Sequence, residues 1–187
     1  MSAITDADEA VRASAARSLG LIGRDGLELL AKLAASDPAV SVRAEACAAL
    51  GAFNDSDTTP LLARALRDKS GRVRLAAARA LSRRDSPAST AALKALLEKS
   101  PRPELSLITQ VGLAERGVDV DLGLADLTLG QGDPELKSLA VRVLSAVPRQ
   151  EALALLSKAM RADPSNRIRV EAAAAVIVRL RRVESPR

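Results

Sequence analysis

The sequence predicts an all-α protein, an α-solenoid of stacked two-helix units. Three observations carry this prediction. Of 187 residues, 48% are apolar, yet aromatics are 1%, with one Phe and no Trp or Tyr. The core must therefore be built from Leu, Val, Ile and Ala, small side chains that let helices approach closely and among which Ala and Leu are strong helix formers. The chain also repeats itself: "DPAVSVRAEACAALG" at 37–51 returns as "DKSGRVRLAAARALS" at 68–82. Finally, no stretch alternates with a period of two over a useful length, so no strand is expected.

The repeat register is set by the Val of "VR". Val11, Val42, Val73 and Ile168 are each followed by Arg, at Arg12, Arg43, Arg74 and Arg169; Leu105 and Leu136 hold the same place, followed by Ser106 and Lys137. These anchors are separated by 31, 31, 32, 31 and 32 residues. Four residues on stand Ala15, Ala46, Ala77, Thr109, Ala140 and Ala172, and eight on stand Leu19, Leu50, Leu81, Leu113, Leu144 and Val176. Steps of four and eight lie on one face of a helix. Twelve before the anchor, Leu30, Leu61, Leu93, Leu124 and Leu156 form a column on a preceding helix.

Each unit is thus a helix A, a turn and a helix B. Helix A is expected near 26–35, 58–68, 88–99, 119–129 and 150–162, and helix B near 8–22, 40–53, 71–83, 104–115, 135–146 and 167–182. That makes about six units, the first lacking its A helix, in a single repeat domain over 1–187. Pro38, Pro60, Gly71, Pro87, Pro134 and Pro164 fall between helices or at their starts, where they punctuate. One such unit cannot bury its own apolar face, so each must lean on its neighbours.

Asp6, Asp37, Asp68 and Asp163 stand six residues before Arg12, Arg43, Arg74 and Arg169. The Asp falls in the A–B turn, where it can cap helix B, and the Arg in the first turn of that helix. Stacking brings the Arg of one unit near the Asp of the next, and the spacing favours an intramolecular ladder of charge-assisted hydrogen bonds over contact with a partner.

This pattern, D-x5-R in a unit of about 31 residues with A-x3-L after it, resembles HEAT repeats, particularly the short HEAT-like class of phycobilisome lyases. The resemblance spans about residues 5–182 and is weakest in the fourth and fifth units. It implies a right-handed α-solenoid whose B helices line a concave surface that holds other macromolecules.

The unit anchored at Leu105 has neither the Asp nor the Arg, and carries Leu107, Ile108 and Val111 near positions where other units often have charge or Ala. Either the unit has drifted into a looser local stack or these residues form an apolar contact patch. The last helix, "IRVEAAAAVIVRL", is apolar on almost every side, and no polar capping repeat is evident at either end. The chain reads as a segment of a longer array; the alternative is that its end faces pack on something, including another copy.

The absence of histidine removes the commonest general base and metal ligand and every Ser-His or Cys-His nucleophile. Cys47, the one cysteine, sits beside Ala46 on the inner side of a B helix and reads as a small core residue; it excludes an intrachain disulfide and fits a cytoplasmic protein. "GQGD" at 130–133 lacks a third Gly and a preceding strand, so it reads as a turn. Asp119, Asp121 and Asp126 hint at a cation loop, but Gly123 stands where a ligand is needed, and helix capping accounts for them better. Neither enzymatic activity nor a cofactor or metal is expected. No apolar run is long enough to span a membrane. The abundance of Ala, Arg and Leu suggests a GC-rich, bacterial genome.

Two functions remain. One is a protein–protein scaffold that contacts its partner through exposed B-helix positions three, six and ten after the anchor: Arg17, Glu45, Arg79, Arg83, Ile108, Val111, Arg142 and Glu171, with Glu115. The other is binding of nucleic acid or an anionic surface through a stripe of Arg17, Arg79, Arg83, Arg84 and Arg142 with the tail arginines Arg179, Arg181, Arg182 and Arg187. The net charge, +5 from 28 basic and 23 acidic residues, favours acidic partners only weakly. The mixed signs of the exposed positions favour a protein partner, provided that Glu45, Glu115 and Glu171 interrupt the stripe. Exposed end faces should drive end-to-end self-association of the isolated chain; a strictly monomeric, soluble species in static light scattering would argue against them.

Overall fold

The computed structural model describes residues 2–53, 58–99 and 102–184, with side chains for 3–53, 58–99 and 102–181. Among them are eleven α-helices, two short 3-10 turns and no strand. In chain order the helices are α1 (Glu9–Ile22), α2 (Leu27–Ser36), α3 (Val40–Leu50), α4 (Thr58–Ala65), α5 (Gly71–Ser82), α6 (Pro87–Leu97), α7 (Pro103–Ala114), α8 (Gly123–Gln131), α9 (Pro134–Ala146), α10 (Gln150–Ala162) and α11 (Asn166–Glu184). The odd-numbered helices are the B helices and the even-numbered ones the A helices.

Local chemistry fixes most boundaries. Asp8 caps α1 by accepting from the Ala10 N–H, and Asp133 caps α9 by accepting from those of Glu135 and Leu136. Pro87, Pro103 and Pro134 each occupy a first helical position, where the missing N–H costs nothing. Two A helices are shorter than their pattern. α4 stops at Ala65 because the N–H groups of Arg67 and Asp68 turn to Arg64 and Ala65 in a 3-10 closure. α8 starts at Gly123, after a turn in which Asp121 accepts from the Gly123 N–H.

The chain divides into two compact units, residues 1–99 and 100–187. In the first, α1, α3 and α5 pack side by side as a B layer and α2, α4 and α6 form the A layer against it. In the second, α7, α9 and α11 form the B layer, with α8 on α9 and α10 on α11. The B helices approach closely because small residues meet: a Cβ on Gly20 would lie 3.0 Å from the Ala49 Cβ, and one on Gly51 2.9 Å from that of Ala80. Both glycines stand nine after their anchor and both alanines seven after theirs.

The anchor columns line the cores. Val42, Val73, Ile168, Ala46, Ala77, Thr109, Ala140, Ala172, Leu81 and Leu144 have no exposed surface. The first unit is less covered, with Val11 39% exposed. The A-helix leucine column holds at Leu30, Leu93 and Leu156, but Leu61 and Leu124 are only half-buried. Leu62 takes the place of Leu61 in the core, and Leu122 and Ala125 flank Leu124 as the buried residues. The rotation follows from the shifted helices: α4 turns buried Thr58 and Thr59 inward, and α8 begins late.

Leu62→Ala should therefore cost about 3 kcal/mol and Leu61→Ala about 1 kcal/mol. Urea denaturation of the two variants separates them, and equal losses would contradict the assigned inward face of α4.

Candidate functional site

The charged residues of the repeat gather at the two ends of the B helices and on their exposed faces. At the N-terminal ends, the Arg12 Nε and Nη2 donate to the Asp37 carboxylate at 2.9 and 3.1 Å, and those of Arg43 donate to Asp68 at the same distances. The Nη1 of each turns back to its own A–B turn, Arg12 to the carbonyls of Asp6 and Ala7 and Arg43 to those of Asp37 and Pro38. One guanidinium thus ties its own turn to the turn of the next repeat, using the fork geometry that a lysine lacks. Each carboxylate also accepts a backbone N–H two residues on, from Ala39, Ser70 and Ser165 for Asp37, Asp68 and Asp163. These aspartates brace the turn rather than cap the helix, since the helices start three residues after them.

Among the described residues the series is incomplete. Arg74 and Arg169 bond the carbonyls of their own turns, Asp68 and Lys69 for one and Asp163 and Pro164 for the other, but meet no carboxylate. Arg169 also donates to the Asn166 side chain. Asp6 accepts from the Asp8 N–H. The fifth repeat contains a pair absent from the D-x5-R pattern: Lys137, in the arginine position, donates to Asp163 at 2.8 Å with both side chains buried.

Electrostatics follow the geometry. Burial pushes the Asp37 carboxyl up, but Arg12 and the Ala39 N–H outweigh it and hold the group below the usual carboxylate range. Hydrogen bonds from Arg43 and the Ser70 N–H depress Asp68 against a smaller opposing effect of burial. Burial raises Asp163, and Lys137 with the Ser165 N–H more than offsets it. Cys47 is fully buried and its thiol is pushed up to about 12 by desolvation, which leaves it unreactive.

At the C-terminal ends lies a second set, outside the D-x5-R pattern. Arg84, eleven after its anchor, donates to the carbonyl of Leu50 at 2.6 Å and to the Thr59 hydroxyl at 3.3 Å. Arg179, also eleven after its anchor, donates to the carbonyls of Leu144 and Arg149. Leu50 and Leu144 are both eight after the preceding anchor, so each arginine covers a carbonyl at the end of the neighbouring B helix. The recurrence of Arg84, Arg116 and Arg179 in one column was the available signal. Arg149 acts similarly on the carbonyl of Val120.

Two expectations for the exposed face need correction. Ile108 and Val111 are only 4% and 2% exposed, because Leu105–Ala114 of α7 is buried throughout. They offer no contact patch. Arg84 is 5% exposed and engaged with backbone, so it belongs to no basic stripe. The remaining positions form ion pairs. Arg17 lies 3.3 Å from Glu45 and Arg142 3.4 Å from Glu115, each bridging neighbouring B helices, while Glu171 pairs with Arg167 along α11. Arg79 and Arg83 are exposed on α5 and at its end. Of the tail arginines, Arg179 is the carbonyl donor above, Arg181 is exposed, and Arg182 and Arg187 lie outside the described side chains. Asp119, Asp121 and Asp126 form no metal-ligand cluster among the described residues.

Paired antiparallel helices, a repeated register and side chains that stitch each repeat to the next define an α-helical repeat protein. Its residues 27–113 match the family model for HEAT repeats. An engineered protein has the same fold at 20% identity and a TM-score of 0.60, over 94% of this chain and 93% of that one. One chain of the complex of CpcE and CpcF, of phycocyanin lyase from Nostoc sp. PCC7120, is similar at 16% identity and a TM-score of 0.56, over 95% and 92%. A designed armadillo repeat protein in complex with the peptide (KR)4 is similar at 17% identity and a TM-score of 0.56, over 95% and 97%. No curated protein matches the sequence.

The depressed aspartates bind fewer protons in the native state than unfolded, so their contribution is complete above an unfolded value near 3.8 and is lost as pH falls through the folded values. Thermal stability should drop steeply below about pH 4. Asp68→Asn should flatten that acid limb, and an unchanged slope would separate Asp68 from the effect. At neutral pH, Arg43→Ala should cost about 3 kcal/mol by stranding the Asp68 carboxylate.

Proposed function

We propose that this chain is a non-catalytic scaffold that binds another protein along the exposed face of its B helices. The carrying observation is the alternation of charge on that face: Arg17 bridges to Glu45 and Arg142 to Glu115 across adjacent B helices. Within each compact unit an acidic group stands beside an arginine, so neither B face presents the unbroken basic track that a phosphate backbone requires. Exposed ion pairs of this kind add little to stability, typically under about 1 kcal/mol, and can exchange one internal partner for a group on a ligand at small cost. Arg17, Glu45, Arg79, Arg83, Arg142 and Glu171 are the contact candidates. That a designed armadillo repeat protein of this fold holds a peptide supports the reading at the level of the scaffold.

Capture of partners from the native host, followed by Arg79→Glu and Arg142→Glu, tests it. Reversal should lower recovery of the same protein by about tenfold while the fold, read by circular dichroism, is unchanged. Retention of partner by both variants would count against the B face. A gel shift of duplex DNA at low salt that disappears with the same variants would assign the face to nucleic acid instead.

A further inference from the structure

A groove of 400 Å³ lies between α2 and α4 in the first compact unit, on the A-helix side and away from the face just discussed. Its floor is formed by Ala31, Ala34, Ala35, Leu61 and Ala65, residues too small to close the space between two A helices. Its rim carries Arg64 and Arg67, and Asp68 stands at its end. Arg64, Arg67, Lys69 and Arg72 are exposed, and among the described residues none has an ion-pair partner. Residues 64–72 hold four cations, Arg64, Arg67, Lys69 and Arg72, and one acid, Asp68, whose carboxylate is engaged by Arg43.

Folding alone does not account for this charge. Arg64 suits the C-terminal end of α4, where the helix dipole favours a cation. Lys69 and Arg72 stand at the start of α5, where the dipole and free N–H groups oppose one. The first turn of α5 has no acidic residue to offset them. A related cleft of 230 Å³ between α8 and α10 differs in charge: it encloses the Lys137–Asp163 pair and Asp126, which leaves it with no comparable excess of cations.

From these observations we infer that the α2–α4 groove is a second docking site and that its occupant is an acidic peptide segment of a partner protein. Carboxylates of the segment meet Arg64, Arg67, Lys69 and Arg72, and an apolar side chain enters the alanine-floored space. A phosphate polymer satisfies the rim but leaves the floor unfilled, so the apolar floor selects peptide over nucleic acid.

The test is fluorescence anisotropy of the full chain with a labelled peptide of repeating Leu-Glu-Glu, compared with its Leu-Gln-Gln analogue and a short duplex DNA. The acidic peptide should bind, the neutral analogue should not, and added salt should weaken the complex. Arg64→Glu combined with Arg67→Glu should reduce affinity at least about tenfold. Ala35→Leu, which fills the groove without altering charge, should reduce it to a similar degree. Ala35 is exposed and the two arginines make no internal ion pair, so both variants should keep the parent's fold, with only a small drop in melting temperature from the reversed charge at the end of α4. The inference is overturned if the acidic peptide fails to bind, if either variant binds it like the parent chain, or if DNA binds more tightly and ignores Ala35→Leu.

Discussion

A helix pair of this length has one broad apolar face and no third element to cover it. Everything else follows from the need to place the next pair close enough to do so. In the first compact unit that closeness is set by Gly20 on Ala49 and Gly51 on Ala80, where an added methyl group would sit at about the distance of a clash. A chain that brings helix axes so near has little use for aromatic rings, which explains a core of Leu, Val, Ile and Ala and a single Phe in 187 residues. Small side chains give shape but no direction, since alanine packs in many registers with similar energy. The polar residues at the helix ends supply the direction.

Those ends are handled by arginine for two different reasons. At the N-terminal turns the guanidinium plane serves two repeats at once, with one edge on the next carboxylate and the remaining nitrogen on its own turn carbonyls. At the C-terminal ends Arg84 and Arg179 donate to carbonyls that a helix leaves open. Both arrangements are specific in register, because a shift of one residue would break several hydrogen bonds together. The Lys137–Asp163 pair marks the limit of substitution: it keeps the contact between repeats but has no second edge to hold its own turn.

The architecture was legible in the sequence because periodicity reports burial directly. Val42, Ala46 and Leu50 point inward for the same reason that Val73, Ala77 and Leu81 do. The reading failed where a helix turned about its own axis. Leu61 sits in the leucine column, yet the placement of α4 buries Leu62, and no single-residue pattern separates adjacent leucines. Ile108 and Val111 were placed on the surface by extrapolating the B-helix face, whereas α7 is buried from Leu105 through Ala114. Their apolar character was the correct signal and their column the misleading one. Arg84 was misplaced in the opposite sense: a charge near the end of a helix reads as solvated until the neighbouring carbonyl is seen.

The division between structural and available charge then carries the functional argument. Asp37, Asp68 and Asp163 are buried or nearly so and saturated by cations and backbone N–H groups, so a partner could reach them only by dismantling the turn. Arg84 and Arg179 are likewise committed to carbonyls. Removing these leaves the B-face set, Arg79 and Arg83 with the bridged pairs, and the cations around the start of α5. The first group is mixed in sign and adjustable, as recognition of a mixed protein surface requires. The second is unbalanced, in part opposed by the dipole of α5, and placed beside an open apolar groove. Charge that folding neither uses nor favours is best explained by what it meets outside the chain.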